Sequence, residues 1–292
     1  LQWSEETDAD IVAMQVGDFY EFFAEGARTV AEELDLKVSE KSAHGSTYPM
    51  AGVPVSELTP YLKALVERGY RVAVADQREE GDDITREVTR VVTPGTLLDA
   101  TDATARYLGS VVRADGEYGL AFADVTTGRF RAGSVADADA ALTELYRFAP
   151  VEVLLGPDLR ESGFAERVDS RTDAELTDHS AEAFAPGAAA HTLREQFGRG
   201  AVESVGVDGA AVRAAGAVLA YVEATGAGVL ASLTRLQSLA PETGVALDAT
   251  TQRNLELVEP MTRGGTALVD VLDHTETSAG GRLLREGLTR PR

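Results

Sequence analysis

The chain has 292 residues, enough for two or three domains, because a single hydrophobic core rarely serves more than roughly 250–300 residues. Its 48 acidic residues outnumber 27 basic ones, giving a formal net charge of −21, and only Lys37, Lys41 and Lys63 are lysines. That balance fits high salt, where screening shortens to about 3 Å at 1 M; it excludes a broad basic footprint, so a nucleic-acid contact here has to be local, and the lack of cysteine excludes disulfides and thiolate metal sites.

The first informative stretch is Val16-Gly17-Asp18-Phe19-Tyr20-Glu21-Phe22-Phe23. Asp18 followed three residues on by Glu21 has the spacing of a capping box. Tyr20, Phe23, Ala27, Val30, Ala31 and Leu34 then recur at helical spacing, with Lys37 near the far end where a cation suits the helix dipole. A helix opening at Asp18 is therefore expected, with Phe19 in its first position and Glu21 in its third. Two readings of this pair stand side by side. In one, Phe19 is core and Glu21 a cap; in the other, they are a wedge and a hydrogen-bonding group that probe a DNA base. Residue physics alone leans to the first.

Beyond the polar loop Lys41-Ser42-Ala43-His44-Gly45-Ser46 comes Tyr48–Pro54, which Pro49 and Pro54 confine to an edge or turn. Glu57 to Arg68 reads as a helix with Leu58, Leu62, Leu65 and Val66 as its stripe. Tyr70 to Ala75 and Val88 to Val92 read as strands, with a solvated acidic turn between Arg78 and Asp83. Asp99 to Ala105 is a small, polar linker. Strands are expected at Tyr107–Val112, Leu120–Asp124 and Gly128–Gly133, with Asp115-Gly116 as a hairpin turn, then a helix at Ala138–Phe148 and a buried strand at Val151–Leu155. Three strands, a helix and a further strand suggest an α/β sheet of ribonuclease-H type. Glu161 to Gly187 is acidic and poor in large apolar residues, which suggests a loose insertion. Helices follow at Ala211–Thr225, Gln252–Met261 and from Arg282.

Candidate chemistry is sparse. Asp124 ends a strand where a nuclease would place a metal-binding carboxylate, but two-metal chemistry needs several such groups converging, and a structural Asp is the better reading. None of the three lysines follows a glycine as a phosphate-cradling loop requires. His44, His179, His191 and His274 are far apart, without ligand spacing, and are expected in exposed loops. No apolar run approaches the ~20 residues of a membrane helix and no signal peptide is visible, so a soluble, cytoplasmic protein without a membrane partner is expected. The chain starts at Leu1 and ends on Thr289-Arg290-Pro291-Arg292, and is expected to be a fragment.

Five segments resemble the MutS family of DNA mismatch repair proteins, in that family's order. Gly17-Asp18-Phe19-Tyr20-Glu21 is similar to its mismatch-recognition motif, and Tyr48-Pro49-Met50-Ala51-Gly52-Val53-Pro54 to its proline–Met-Ala-Gly loop. Arg90-Val91-Val92-Thr93-Pro94-Gly95-Thr96-Leu97 resembles the close of its first domain, and Ala123–Phe130 a strand pair of its connector. Leu247–Glu256 with Val271–Leu284 resembles the start of its helical core. The resemblance implies an α/β multidomain chain: a mixed α+β mismatch-recognition domain over 1–98, a ribonuclease-H-like α/β connector over 104–220, and the beginning of an all-α core over 221–292. It also implies roles: Phe19 stacks on a mispaired base from the minor groove, and Glu21 hydrogen-bonds that base. Lys41, His44 and Arg78 are candidate contacts to the DNA backbone. Departures from the family pattern, Asp76 before Gln77 among them, touch these secondary contacts rather than Phe19 and Glu21.

The implied partners are mismatched or looped duplex DNA, a second copy in the full-length protein, and a MutL-type protein. No cofactor and no metal is expected within these residues, and no catalysis; ATP and Mg²⁺ are expected only for a C-terminal ATPase domain past Arg292. Alternatives are a family paralogue binding other DNA structures such as junctions, a nuclease working through Asp124, and a truncated piece without function. Junction-directed paralogues typically lack the Phe-x-Glu pair, which is present here.

Overall fold

A computed structural model describes residues 2–43, 46–80, 83–97, 106–207, 209–226, 228, 230–239, 247, 249–262 and 264–289. It divides into two compact units, one of residues 1–97 with 222–228, the other of 98–221 with 229–292.

The first unit runs α1 (Gln2–Thr7), β1 (Ile11–Val16), β2 (Phe19–Phe23), α2 (Ala24–Leu34), β3 (Ser39–Ala43), β4 (Ser46–Pro54), α3 (Leu58–Val66), β5 (Val72–Glu80) and β6 (Asp83–Val92). Its six strands lie in the order β3-β4-β2-β1-β5-β6, with β1 parallel to β5 and the other neighbours antiparallel. One sheet face carries Ile11, Ala13, Tyr20, Phe22, Val53, Val72 and Val74 into a core with Ala27 and Val30 of α2 and Leu58, Leu62 and Leu65 of α3. Those helical residues fall at the three-and-four spacing that puts them on one side.

The helix expected from Asp18 begins only at Ala24, so its N-terminal half is a strand instead. Phe19, Tyr20, Glu21, Phe22 and Phe23 alternate exposed, buried, half-buried, buried and half-buried, the period of two that belongs to a strand. No side chain caps α2, so the expected capping box does not form. The expected turn from Arg78 to Asp83 is also largely strand, because β5 runs to Glu80 and β6 starts at Asp83. Tyr48–Pro54 lies inside the sheet rather than at its edge. Its prolines are still accommodated, since β3 pairs with Ser46–Met50 and β2 with Met50–Pro54, leaving each proline with a partner on one side only.

The second unit continues with β7 (Tyr107–Ala114), β8 (Glu117–Asp124), β9 (Arg129–Val135), α4 (Ala138–Phe148), β10 (Glu152–Leu155), α5 (Pro157–Arg160), α6 (Gly163–Asp169) and β11 (Glu175–Thr177). Then come α7 (Pro186–Phe197), α8 (Arg199–Val205), α9 (Gly209–Thr225), β12 (Arg235–Ser238), α10 (Ala249–Asn254), α11 (Leu268–Leu272) and α12 (Ser278–Thr289). The sheet order is β11-β10-β7-β8-β9-β12. An antiparallel meander β7-β8-β9 with β10 and β11 parallel to β7 is the ribonuclease-H-type arrangement expected from the sequence. Asp115 and Gly116 both have positive φ, 53° and 86°, as the type I′ turn between β7 and β8 requires.

Two stretches differ from expectation here. Glu161–Gly187 is not a loose insertion: it holds α6 and β11, and it buries Phe164, Val168, Ala174 and Phe184. A few well-spaced apolar residues suffice where each one fills a gap. The helix expected over Gln252–Met261 is the short α10, ending at Asn254 with Glu256 at φ 47° just beyond. Among the described residues, no helix is long and apolar enough to cross a membrane.

Candidate nucleic-acid interface

The site begins with a turn. β1 and β2 pair as Val16↔Phe19, leaving only Gly17 and Asp18 between them. Gly17 has φ +60° while Asp18 is not left-handed, so the positive φ sits at the first central position, where a II′-type hairpin wants glycine. A two-residue Gly-X between β-rich runs, Ile11–Val16 and Phe19–Phe23, is the hairpin signal that the capping-box spacing obscured.

That geometry decides where each side chain goes. Phe19 lies at the start of β2 and is 49% exposed, while Tyr20 and Phe22 turn into the core. Glu21 shares Phe19's face, because residues two apart on a strand do. The wedge and carboxylate assigned to positions one and three of a helix are instead positions one and three of a strand. Glu21 stands opposite Gly52 of β4, where no side chain intervenes, and the Lys41 ammonium of β3 reaches it at 2.5 Å. The Lys41 Nζ also lies 5.6 Å from the centre of the Phe23 ring, which meets Tyr48 edge to face at 5.8 Å. Lys41, expected to face phosphate, therefore pairs with Glu21.

Behind the hairpin, Tyr20 donates its hydroxyl proton to Asp76 of β5, whose other oxygen accepts from Thr89 at 2.7 Å. Burial first, then the Asp76 hydrogen bond and negative charge, push the Tyr20 phenol up to about 12. Arg78, near the end of β5, is ion-paired with Glu87 of β6 at 2.5 Å, both side chains more than half exposed. His44 lies outside the described residues. The structure thus brings Phe19, Glu21 and Lys41 together on one sheet region and leaves Arg78 engaged on the β5–β6 hairpin. Residues that sequence reasoning did not single out are Gln15 and Gln77, whose side chains bond Gly17, and Arg86, which bonds the Gln15 carbonyl and the Gln77 side chain.

Two family models match this chain: MutS domain I over residues 2–101 and MutS domain II over residues 106–235. The chain belongs to the MutS family. It is 59% identical to DNA mismatch repair protein MutS 1 of Haloarcula marismortui over all of this chain and 33% of that protein. Identity is 62% to MutS 1 of Halobacterium salinarum, over 98% of this chain and 34% of that one. With MutS of Thermus aquaticus it is 38%, over 96% and 33%. The chain therefore spans about a third of the length of the curated relatives it matches. Phe19, Glu21, Lys41 and Arg78 fall within MutS domain I.

Asp124 falls within MutS domain II and is 2% exposed. Its carboxylate is occupied locally: Oδ1 accepts from the amide and hydroxyl of Thr126 at 3.0 and 2.6 Å and from the Thr127 amide at 3.2 Å, and Oδ2 from the Thr127 hydroxyl. These bonds close the β8–β9 turn, which is what a structural Asp does. A cavity of about 730 Å³ opens beside it, between the strands and α10 and α12. Among the described residues, no three His, Cys, Asp or Glu side chains converge as a metal would need. Of the histidines expected in exposed loops, His274 is in one; His191 is exposed but lies on α7 rather than in a loop. His179 is a correction: half-buried, its ring packs edge-on against Tyr221 at 5.3 Å.

Proposed function

We propose that this chain is the lesion-reading part of a MutS-type mismatch repair protein, with Phe19 stacking on a mispaired base and Glu21 hydrogen-bonding it. The observation that carries this reading is the pairing of a half-exposed phenylalanine, at the tip of a closed hairpin, with a carboxylate two residues on and on the same face. An exposed aromatic at such a tip has no packing role to account for it, whereas Tyr20 and Phe22 beside it do. The names of the relatives support the same reading.

The energetics are coherent. A mispaired step is already weakly stacked, so opening it costs least there, and a kinked duplex meets more protein surface. Aromatic stacking contributes roughly 1–3 kcal/mol per base without sequence preference, as a general lesion reader needs. Glu21 reads the base edge once it leaves the Lys41 ammonium, and Lys41 is then placed to meet a backbone phosphate close to the wedge. Arg78, and His44 by its place in the sequence, are secondary backbone contacts. In the intact protein this part works beside an ATPase domain that binds ATP and Mg²⁺, as a homodimer that engages a MutL-type partner in the cytoplasm; the part itself carries no catalysis.

The test compares a duplex bearing a G·T pair or an unpaired T with its matched counterpart, using the intact protein. The wild type is expected to prefer the mismatched duplex, and Phe19→Ala to abolish that preference. A Phe19→Ala protein that still discriminates overturns the wedge assignment. Glu21→Ala is expected to lower discrimination more than total binding.

A further inference from the structure

The Gly17–Asp18 turn is held by more than its own hairpin ladder, through Gln15 of β1 and through Gln77 and Val55 from outside the hairpin. The Gly17 amide donates to Oε1 of Gln77 at 3.2 Å, and the Gly17 carbonyl accepts from Nε2 of Gln15 at 3.2 Å. The Asp18 carbonyl accepts from the Val55 amide at 2.9 Å. Gln15 is also tied to β5, the Gln77 backbone N–H donating to Gln15 Oε1 at 3.1 Å. Arg86 stands opposite Gln77 in the β5–β6 register and closes the network. Its Nε donates to the Gln15 carbonyl at 2.7 Å and its Nη2 to Gln77 Oε1 at 3.1 Å. One glutamine oxygen thus accepts from both the turn and the guanidinium.

A two-residue hairpin needs none of this to close, since its strands supply their own hydrogen bonds. The additional bonds fix the turn relative to β5 and β6, which lie two and three strands away from the β2 side chain that the turn presents. We infer that Gln77 and Arg86 are positioning residues for Phe19: they act through the Gly17–Asp18 turn, not on DNA, to hold the ring at one height above the sheet. The inference rests on the wedge role proposed for Phe19. Its physical basis is preorganisation. A turn free to move would give up part of the stacking energy to its own ordering, and the loss would fall on the mismatched duplex, because a matched one does not admit the ring. Arg86 suits the task because its planar fork donates to two acceptors at fixed geometry, which a lysine ammonium cannot reproduce.

The experiment measures dissociation constants of the intact protein for a G·T duplex and its matched counterpart at several salt concentrations, with 2-aminopurine beside the mispair reporting stacking. Gln77→Ala and Arg86→Lys are each expected to lower the mismatch-to-match ratio by about tenfold, the scale of one lost hydrogen bond. Matched-duplex affinity and the slope of log Kd against log salt are expected to stay unchanged, and the 2-aminopurine signal to lose its stacking component. Gln77→Glu keeps the acceptor for both donors and is expected to keep the ratio. On a Phe19→Ala background, Gln77→Ala is expected to do nothing more to it.

An unchanged ratio in Gln77→Ala overturns the inference. So does an Arg86→Lys protein with wild-type discrimination together with an Arg86→Ala protein whose salt slope falls by about one, since that is a phosphate contact. If Phe19→Ala itself leaves the ratio intact, the wedge reading fails. If Phe19→Ala abolishes the ratio and Gln77→Ala spares it, only the positioning role fails.

Discussion

β2 in the first unit and β10 in the second are short strands of similar apolar content, yet they meet solvent in opposite ways. Phe19–Phe23 alternates between the core and an open face, whereas all four residues of Glu152–Leu155 are buried. Each strand carries a glutamate. Glu21 keeps 12% of its side-chain surface exposed and faces the Lys41 ammonium; Glu152 is fully buried and accepts from the hydroxyls of Thr177 at 2.7 Å and Tyr221 at 2.6 Å. The difference shows that residue type does not make a reading group. A carboxylate or an aromatic can meet a ligand only where its sheet face is left uncovered, and the same groups on a strand covered on both faces serve packing and hydrogen-bond satisfaction.

The sharpest way to break that comparison is to delete one phenylalanine from each unit. Phe122, fully buried and stacked on Phe148 with centroids 4.0 Å apart, is expected to cost about 3–5 kcal/mol as Phe122→Ala in urea unfolding. Phe19→Ala should change stability by no more than about 0.5 kcal/mol while removing mismatch preference. A large stability loss in Phe19→Ala would make it a core residue after all.

The glutamates give the next contrast. Glu152→Ala strands two buried hydroxyls and is expected to cost about 1–3 kcal/mol for a group so left, whereas Glu21→Ala loses a partly exposed pair of about 0–1 kcal/mol. Denaturation midpoints of the two variants read the difference, and equal losses would erase the distinction. Gly17→Ala is expected to cost about 1 kcal/mol from its positive φ alone, because nothing lies within 4 Å of a Cβ built there. By contrast a Cβ at Gly119 of β8 would fall 2.0 Å from the Ala210 carbonyl oxygen of α9, so Gly119→Ala should destabilise more by the same melting assay.

The last contrast appears only at alkaline pH. The Tyr20 phenol is pushed up to about 12 from 10.0 in the folded state, so the native form keeps a proton that the unfolded chain releases. Stability from this group is complete below pH 10 and declines as pH rises towards 12. Melting curves across that interval should show the decline in the wild type and its loss in Tyr20→Phe.

Much of this architecture was legible in the residues. The Asp115-Gly116 turn, the helix Ala138–Phe148 and the buried, β-branched strand ending at Leu155 are legible in the residues, and the structure has them at those places. The misreading at Asp18–Glu21 has a specific cause. Tyr20, Phe23 and Ala27 satisfy a helical spacing, but Tyr20 and Phe23 belong to a strand and Ala27 to the helix after it, so the apparent period spans an element boundary. Arg78 and Lys41 were legible as cations, though not as cations already engaged by Glu87 and Glu21, because those partners arrive from other strands. The contribution of Gln77 and Arg86 was invisible for the same reason: they lie some 60 and 70 residues from the turn they hold.

By itself the sequence determined what is local and chemical: family membership through its motifs, an acidic chain without cysteine, the positive-φ turn at Asp115-Gly116, and the presence of a Phe-x-Glu pair. Only the tertiary structure decided which face that pair occupies and what holds it. Pairing of β2 with β1 and β4 puts Phe19 and Glu21 on the open side of the sheet, and β3 and the β5–β6 pair bring in Lys41, Gln77 and Arg86. Strand pairing is a long-range event whose register sets every side chain to one face or the other, and no window of neighbouring residues contains it.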